Sequence, residues 1–252
     1  LLLAGCSTLQ TPEGSPQPTQ PPVTETLITF QVTLPSPLQA GEALVLAVLD
    51  EVSGLGFNQQ LNPLQAQDAL HYAATLQLRT GTVLKYRYLR QGTYTVQEHL
   101  PGGLPVRYRL HSVRAQAVVM DTISRWTDTA FEGETGRIQG TVTDPSTGRP
   151  IPNLLAAAGG VQTLTGADGA YSFPSVPEGA YDVQASGTRC LAPQAQQVTL
   201  AGSLTGFDFV LPLRTDGFGY FCTAETPAYI EADNALFLYG DDSDVEVALP
   251  FN

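Results

Sequence analysis

Along much of this chain apolar residues recur at every second position, and glycine or proline breaks the pattern every few residues. A strand turns successive side chains to opposite faces, so this period builds sheets with one dry face and one wet face. Ile28, Phe30, Val32 and Leu34 alternate with Thr29, Gln31 and Thr33 until Pro35-Ser36-Pro37 ends the run. The composition agrees: 24 glycines and 19 prolines supply turns, and charged residues make up 14% against about a quarter in an ordinary domain. The predicted class is all-β, with tandem antiparallel β-sandwich domains behind a disordered N-terminal tether.

Charge narrows the function classes. The net charge is −12, and Lys85 is the sole lysine. A nucleic-acid partner requires a basic face that displaces counterions, and none is present. Anionic lipid would repel such a surface, so membrane attachment requires a covalent anchor.

Leu3-Ala4-Gly5-Cys6 resembles the lipoprotein box of bacterial lipoproteins at all four positions. The resemblance implies that residues 1–5 end an export signal and that Cys6 becomes a lipidated N-terminus. It places the protein outside the cytoplasm, at the cell surface or the periplasmic face, with the membrane as a partner. Residues 6–24 read as a tether: Ser7–Thr26 holds five prolines among Thr, Gln, Ser and Gly, too little apolar surface to offset ordering entropy. With Cys6 lipidated, Cys190 and Cys222 remain. They either pair, stay free, or leave Cys222 to bond elsewhere.

The first module spans about residues 25–128. Leu44–Leu49 is a continuous apolar run suited to a central strand. Tyr72, Ala74, Leu76 and Leu78 alternate up to Arg79-Thr80-Gly81-Thr82, a hairpin signal. Leu84, Tyr86 and Tyr88 share one face of the next strand, Val106, Tyr108 and Leu110 form another, and Val118–Ile123 the last. Val83-Leu84-Lys85-Tyr86-Arg87-Tyr88, with Gly92-Thr93-Tyr94 behind it, resembles starch-binding-type carbohydrate modules at superfamily level over most of this module. Those modules stack sugars on exposed tryptophans, whereas the one tryptophan here is Trp126, at the module's exit. Tyr86, Tyr88 and Tyr94 are therefore the candidate carbohydrate contacts, with strand packing as their alternative role.

The second module, about 136–213, carries the most specific pattern. Gly136-Arg137-Ile138-Gln139-Gly140-Thr141-Val142-Thr143-Asp144 opens it, and a turn-rich hairpin follows over Pro145–Asn153. Thr165-Gly166-Ala167-Asp168-Gly169-Ala170-Tyr171-Ser172-Phe173 forms its centre and Pro177-Glu178-Gly179-Ala180-Tyr181-Asp182-Val183 its close. In order and spacing these resemble the carboxypeptidase regulatory-like (transthyretin-like) β-sandwich, which implies a spacer or stabiliser without catalytic residues. Asp168 then serves a turn rather than acid chemistry. Residues 214–252 read as the start of a further, truncated β-module. Its acids Asp241, Asp242, Asp244 and Glu246 lack EF-hand spacing and read as a solvated turn.

No H-E-x-x-H, G-x-S-x-G, P-loop, G-x-G-x-x-G or C-x-x-C occurs, and His71, His99 and His111 are scattered. The expectation is a non-catalytic surface scaffold, spacer or adhesion unit without cofactor or metal, whose ligand is a polysaccharide or another surface protein. The alternatives are glucan binding by the first module, and service to an enzyme encoded beyond residue 252.

Overall fold

The computed structural model describes residues 24–50, 53–56, 58–188 and 190–213, together with the strands Ala235–Leu238 and Val247–Pro250. Every regular element among the described residues is a strand, and no helix there is long and apolar enough to cross a membrane. Cys6, Cys222, the proposed tether up to residue 23 and the acids at 241–246 lie outside the described residues.

The first sandwich uses β1 (Glu25–Thr33), β2 (Ala43–Val48), β3 (Gln60–Pro63), β4 (Gln65–Ala66), β5 (His71–Arg79), β6 (Val83–Gln91), β7 (Thr95–His99), β8 (Arg109–Ser112), β9 (Ala117–Thr122) and β10 (Arg125–Trp126). One sheet runs β4-β5-β1-β9. The other runs β10-β7-β6-β2-β3, with β8 also on β6. Most ladders are antiparallel, but β9 runs parallel to β1. Ile28, Phe30 and Val32 of β1 face Leu44, Leu46, Tyr86 and Tyr88 across the core, as their alternation predicts. Each large apolar side chain so buried contributes about 1.5–3 kcal/mol. β2 reads as an unbroken apolar run because Val45 and Ala47 are buried too, on its other face, beside Leu89 and Tyr108.

Two sequence expectations are corrected. Arg79–Thr82 is not a hairpin: β5 and β6 belong to different sheets. Gly81, at φ +91°, takes the chain across, with its N–H bonded to the Val113 carbonyl at 2.7 Å. The strand expected from Val106 begins only at Arg109. Upstream, Pro105 bridges to His99, and the Val106 carbonyl accepts from the Gln97 side chain at 2.7 Å.

The second sandwich uses β11 (Thr135–Thr143), β12 (Leu155–Ala158), β13 (Val161–Leu164), β14 (Ala170–Pro177), β15 (Gly179–Ala185), β16 (Gln194–Leu200), β17 (Ser203–Leu204) and β18 (Phe209–Val210). One sheet runs β14-β11-β17, with β18 also on β11, and the other runs β13-β12-β15-β16. Ile138, Val142, Phe173, Tyr181 and Val183 fill the core. Further on, β19 (Ala235–Leu238) and β20 (Val247–Pro250) pair antiparallel.

Candidate functional site

The three tyrosines proposed from sequence separate. Tyr86 and Tyr88 are 1% and 0% exposed, and each hydroxyl donates to Asp121 Oδ2 at 2.8 Å. A sugar ring has no access to them. Trp126 is fully buried as well, with the Arg90 guanidinium 5.5 Å from its ring centre. Tyr94 is 81% exposed. It lies between β6 and β7, where Arg90 bridges Glu42 and Asp128.

Behind Tyr86 and Tyr88 lies a charged cluster that the sequence reading did not single out. Arg109 is 4% exposed. It donates to Asp121 at 2.6 Å, to Glu98 at 2.8 Å and to the Thr122 carbonyl at 3.0 Å. Glu98 also accepts the Tyr88 N–H at 2.8 Å. Burial opposes the guanidinium's charge, but Asp121 and Glu98 outweigh it and hold its pKa well above the ordinary arginine value. Burial first, then Asp121, pushes both phenols far above the tyrosine range, so they remain donors. The phase of the alternation is the signal for this cluster: Val119 and Asp121 share a face of β9, and Val96 and Glu98 share one of β7.

The side of the first sandwich between β8 and β9 is open to strand addition, since among the described residues neither strand has a further neighbour in its sheet. Unpaired backbone groups at such edges invite aggregation unless they are covered. Here the β13-β12-β15-β16 sheet covers them with side chains. On β9, the Val118 carbonyl accepts from Gln197 at 2.7 Å and the Met120 N–H donates to Asp182 at 3.2 Å. Thr122 completes the edge by donating its hydroxyl to the Ala180 carbonyl at 3.1 Å. On β8, the Gln184 amide, oriented to satisfy both contacts, donates to the Leu110 carbonyl and accepts the Ser112 N–H. Just upstream the Tyr108 carbonyl accepts from Gln162 at 3.1 Å. The covering face is built of small residues and amides; Ala157 on it is only 7% exposed.

Within the second sandwich the glycines of the opening motif have a steric cause. A Cβ on Gly136 would stand 1.6 Å from the Gly202 carbonyl oxygen, and one on Gly140 would stand 1.9 Å from that of Phe207. The chain before β17 and β18 therefore crosses β11 at backbone contact, which only glycine permits. Asp168 accepts the Ala170 N–H at 3.1 Å, and Gly169 takes φ +71° beside it. Asp168 thus sits in a turn between β13 and β14.

Residues 137–212 match the carboxypeptidase regulatory-like domain. The second sandwich is thus a regulatory-like module, and the match covers under a third of the chain. No curated relative matches the chain. Among solved structures, the glycoside hydrolase family 15 glucoamylase of Hypocrea jecorina is 22% identical over 44% of this chain and 19% of its own, with a TM-score of 0.31. The minor pilin GBS52 of Streptococcus agalactiae is 13% identical over 75% of this chain and 96% of its own, at 0.27. The chain spans about a fifth of the glucoamylase.

Cys190 is buried and disulfide-bonded. Among the described residues no group of three or more His, Cys, Asp or Glu side chains is arranged to hold a metal ion.

Proposed function

We propose that this chain is a non-catalytic spacer of the bacterial cell envelope. Its two sandwiches form one stiff unit, held off the membrane by a lipidated Cys6 and a proline-rich tether. One observation supports the stiffness above all: Gln162, Asp182, Gln184 and Gln197 of the regulatory-like module bond to the backbone along the open side of the first sandwich. A flexible linker would leave those backbone groups to water, whereas here the second sandwich completes the first. The acidic surface, with no basic face for nucleic acid, fits an exposed strut.

Small-angle X-ray scattering of the full chain tests this reading. Wild type is expected to fit a single rigid arrangement of the sandwiches. Replacing Asp182, Gln184 and Gln197 together by leucine is expected to enlarge the radius of gyration while both sandwiches stay folded. Equal scattering from the two proteins would remove the basis of the reading. The anchor has its own test, mass spectrometry of protein extracted from bacterial membranes. A diacylglyceryl thioether on Cys6 is expected, and a free thiol would contradict it. We pair Cys190 with Cys222, which non-reducing peptide mapping checks.

A second reading, glucan binding by the first sandwich, is favoured by the exposure of Tyr94. An exposed aromatic ring stacks on a sugar face. Affinity electrophoresis through soluble starch is then expected to retard wild type, and Tyr94→Ala to abolish the retardation without changing thermal stability. Equal mobility of the two proteins in starch would dismiss this reading.

A further inference from the structure

Among the described residues, the joint between the sandwiches encloses a carboxyl, Asp182, that meets hydrogen-bond donors but no cation. Asp182 projects from β15 toward the first sandwich, and its Oδ1 accepts the Met120 N–H from the edge of β9. The titratable and charged groups around it come from several elements. On β9 the neighbour is Asp121, and on β8 there are Arg109 and His111. Tyr86 on β6, Glu98 on β7 and Tyr181 on β15 lie further in. His71 of β5 borders the same cleft of about 410 Å³ as Met120, Asp121 and Ala180, and is paired with Asp68. From β16 the contact is the neutral Gln197. Arg109, the cation of this set, donates to Glu98, Asp121 and the Thr122 carbonyl.

We propose that Asp182 is an acid-set latch between the two sandwiches, tightening the joint when its carboxyl is protonated and loosening it when ionised. A protonated carboxyl still accepts from Met120, and it removes a buried negative charge from the neighbourhood of Asp121. Burial raises this carboxyl most; the Met120 N–H and then the Gln197 side chain pull the other way and Asp121 adds to the rise, leaving it at about 6 against an ordinary 3.8. The closed joint therefore holds a proton that an opened, hydrated joint releases. Its extra stability is complete below pH 3.8 and is lost as pH rises through about 6. The two-unit difference corresponds to roughly a hundredfold change in the open-to-closed ratio.

His111 behaves in the opposite sense. Its ring packs edge-on to Phe30 in the first core, with both nitrogens unpartnered, and burial lowers its pKa from 6.5 to about 4. That contribution is complete above 6.5 and is lost as pH falls through 4. It belongs to unfolding of the first sandwich rather than to opening of the joint. Global stability therefore shows little net pH dependence from these two groups, and only a probe at the joint reports the latch. The latch holds whether or not the chain serves as a spacer.

Hydrogen exchange of the Met120 amide in the full chain, corrected for intrinsic rate, is that probe. Its protection is expected to fall about a hundredfold between pH 4 and pH 7.5 in wild type, and to stay high and flat in Asp182→Asn. A flat wild-type profile, or the same slope in the variant, would overturn the latch. Should Asp182→Asn fail to fold, carbon-13 titration of the wild-type Asp182 carboxyl decides: a midpoint near 6 supports the latch and one near 3.8 refutes it.

Discussion

Replacing Arg109 with methionine is expected to cost about 3–5 kcal/mol of stability, the range measured when one partner of a buried ion pair is deleted. The methionine fills most of the volume, so loss of packing is minor. What remains is Glu98 at 1% and Asp121 at 5% exposure with no cation between them. Arg109→Lys is expected to fall short of rescue, because a lysine cannot donate at once to Asp121, Glu98 and the Thr122 carbonyl. The triple variant Arg109→Met/Glu98→Gln/Asp121→Asn is expected to recover much of the loss, since it removes the stranded charges. Urea unfolding of the full chain measures each step. A loss below about 1 kcal/mol in Arg109→Met would mean that the cluster is solvated rather than buried. Total stability of a domain is only about 5–15 kcal/mol, so this substitution endangers the fold of the first sandwich.

Gly140→Ala is the second large effect. Its Cβ would meet the Phe207 carbonyl at 1.9 Å, and backbone cannot step aside as a flexible side chain does. β18 must separate from Val142 and Thr143, and the bond from the Phe207 N–H to Gln139 must break. A loss of about 3 kcal/mol is expected, at the upper end of overpacking effects. Gly148→Ala is the control. Gly148 has φ +66°, but its added Cβ meets nothing within 4 Å, so only the left-handed strain of about 1 kcal/mol applies. Thermal unfolding of both variants separates close approach from backbone strain, and equal losses would count against the crossing.

Parts of this architecture are written in the alternation itself. Ile28, Phe30 and Val32 disclose β1, and Leu84, Tyr86 and Tyr88 disclose β6, because each inward position is apolar or aromatic while Thr29, Gln31, Lys85 and Arg87 between them are polar. Sheet membership is not written locally. Arg79–Thr82 carries the residues of a hairpin turn, yet β5 pairs with β1, more than forty residues earlier. Two-residue strands such as β4 and β10 are too short to show a period. The buried cluster was half legible: the phase puts Glu98 and Asp121 on apolar faces, but nothing local says that Arg109 joins them. The joint was the least legible. Gln162, Gln184 and Gln197 read as ordinary exposed residues, and only the fold brings backbone edges to them.

If the regulatory-like module plugs the open side of the first sandwich, as proposed, the two sandwiches move as one body. Nitrogen-15 relaxation of the backbone amides in the full chain tests it most directly. A single rotational correlation time shared by residues 25–126 and 135–210 is the predicted result. Two distinct times, each fitting a sandwich tumbling on its own, would contradict it.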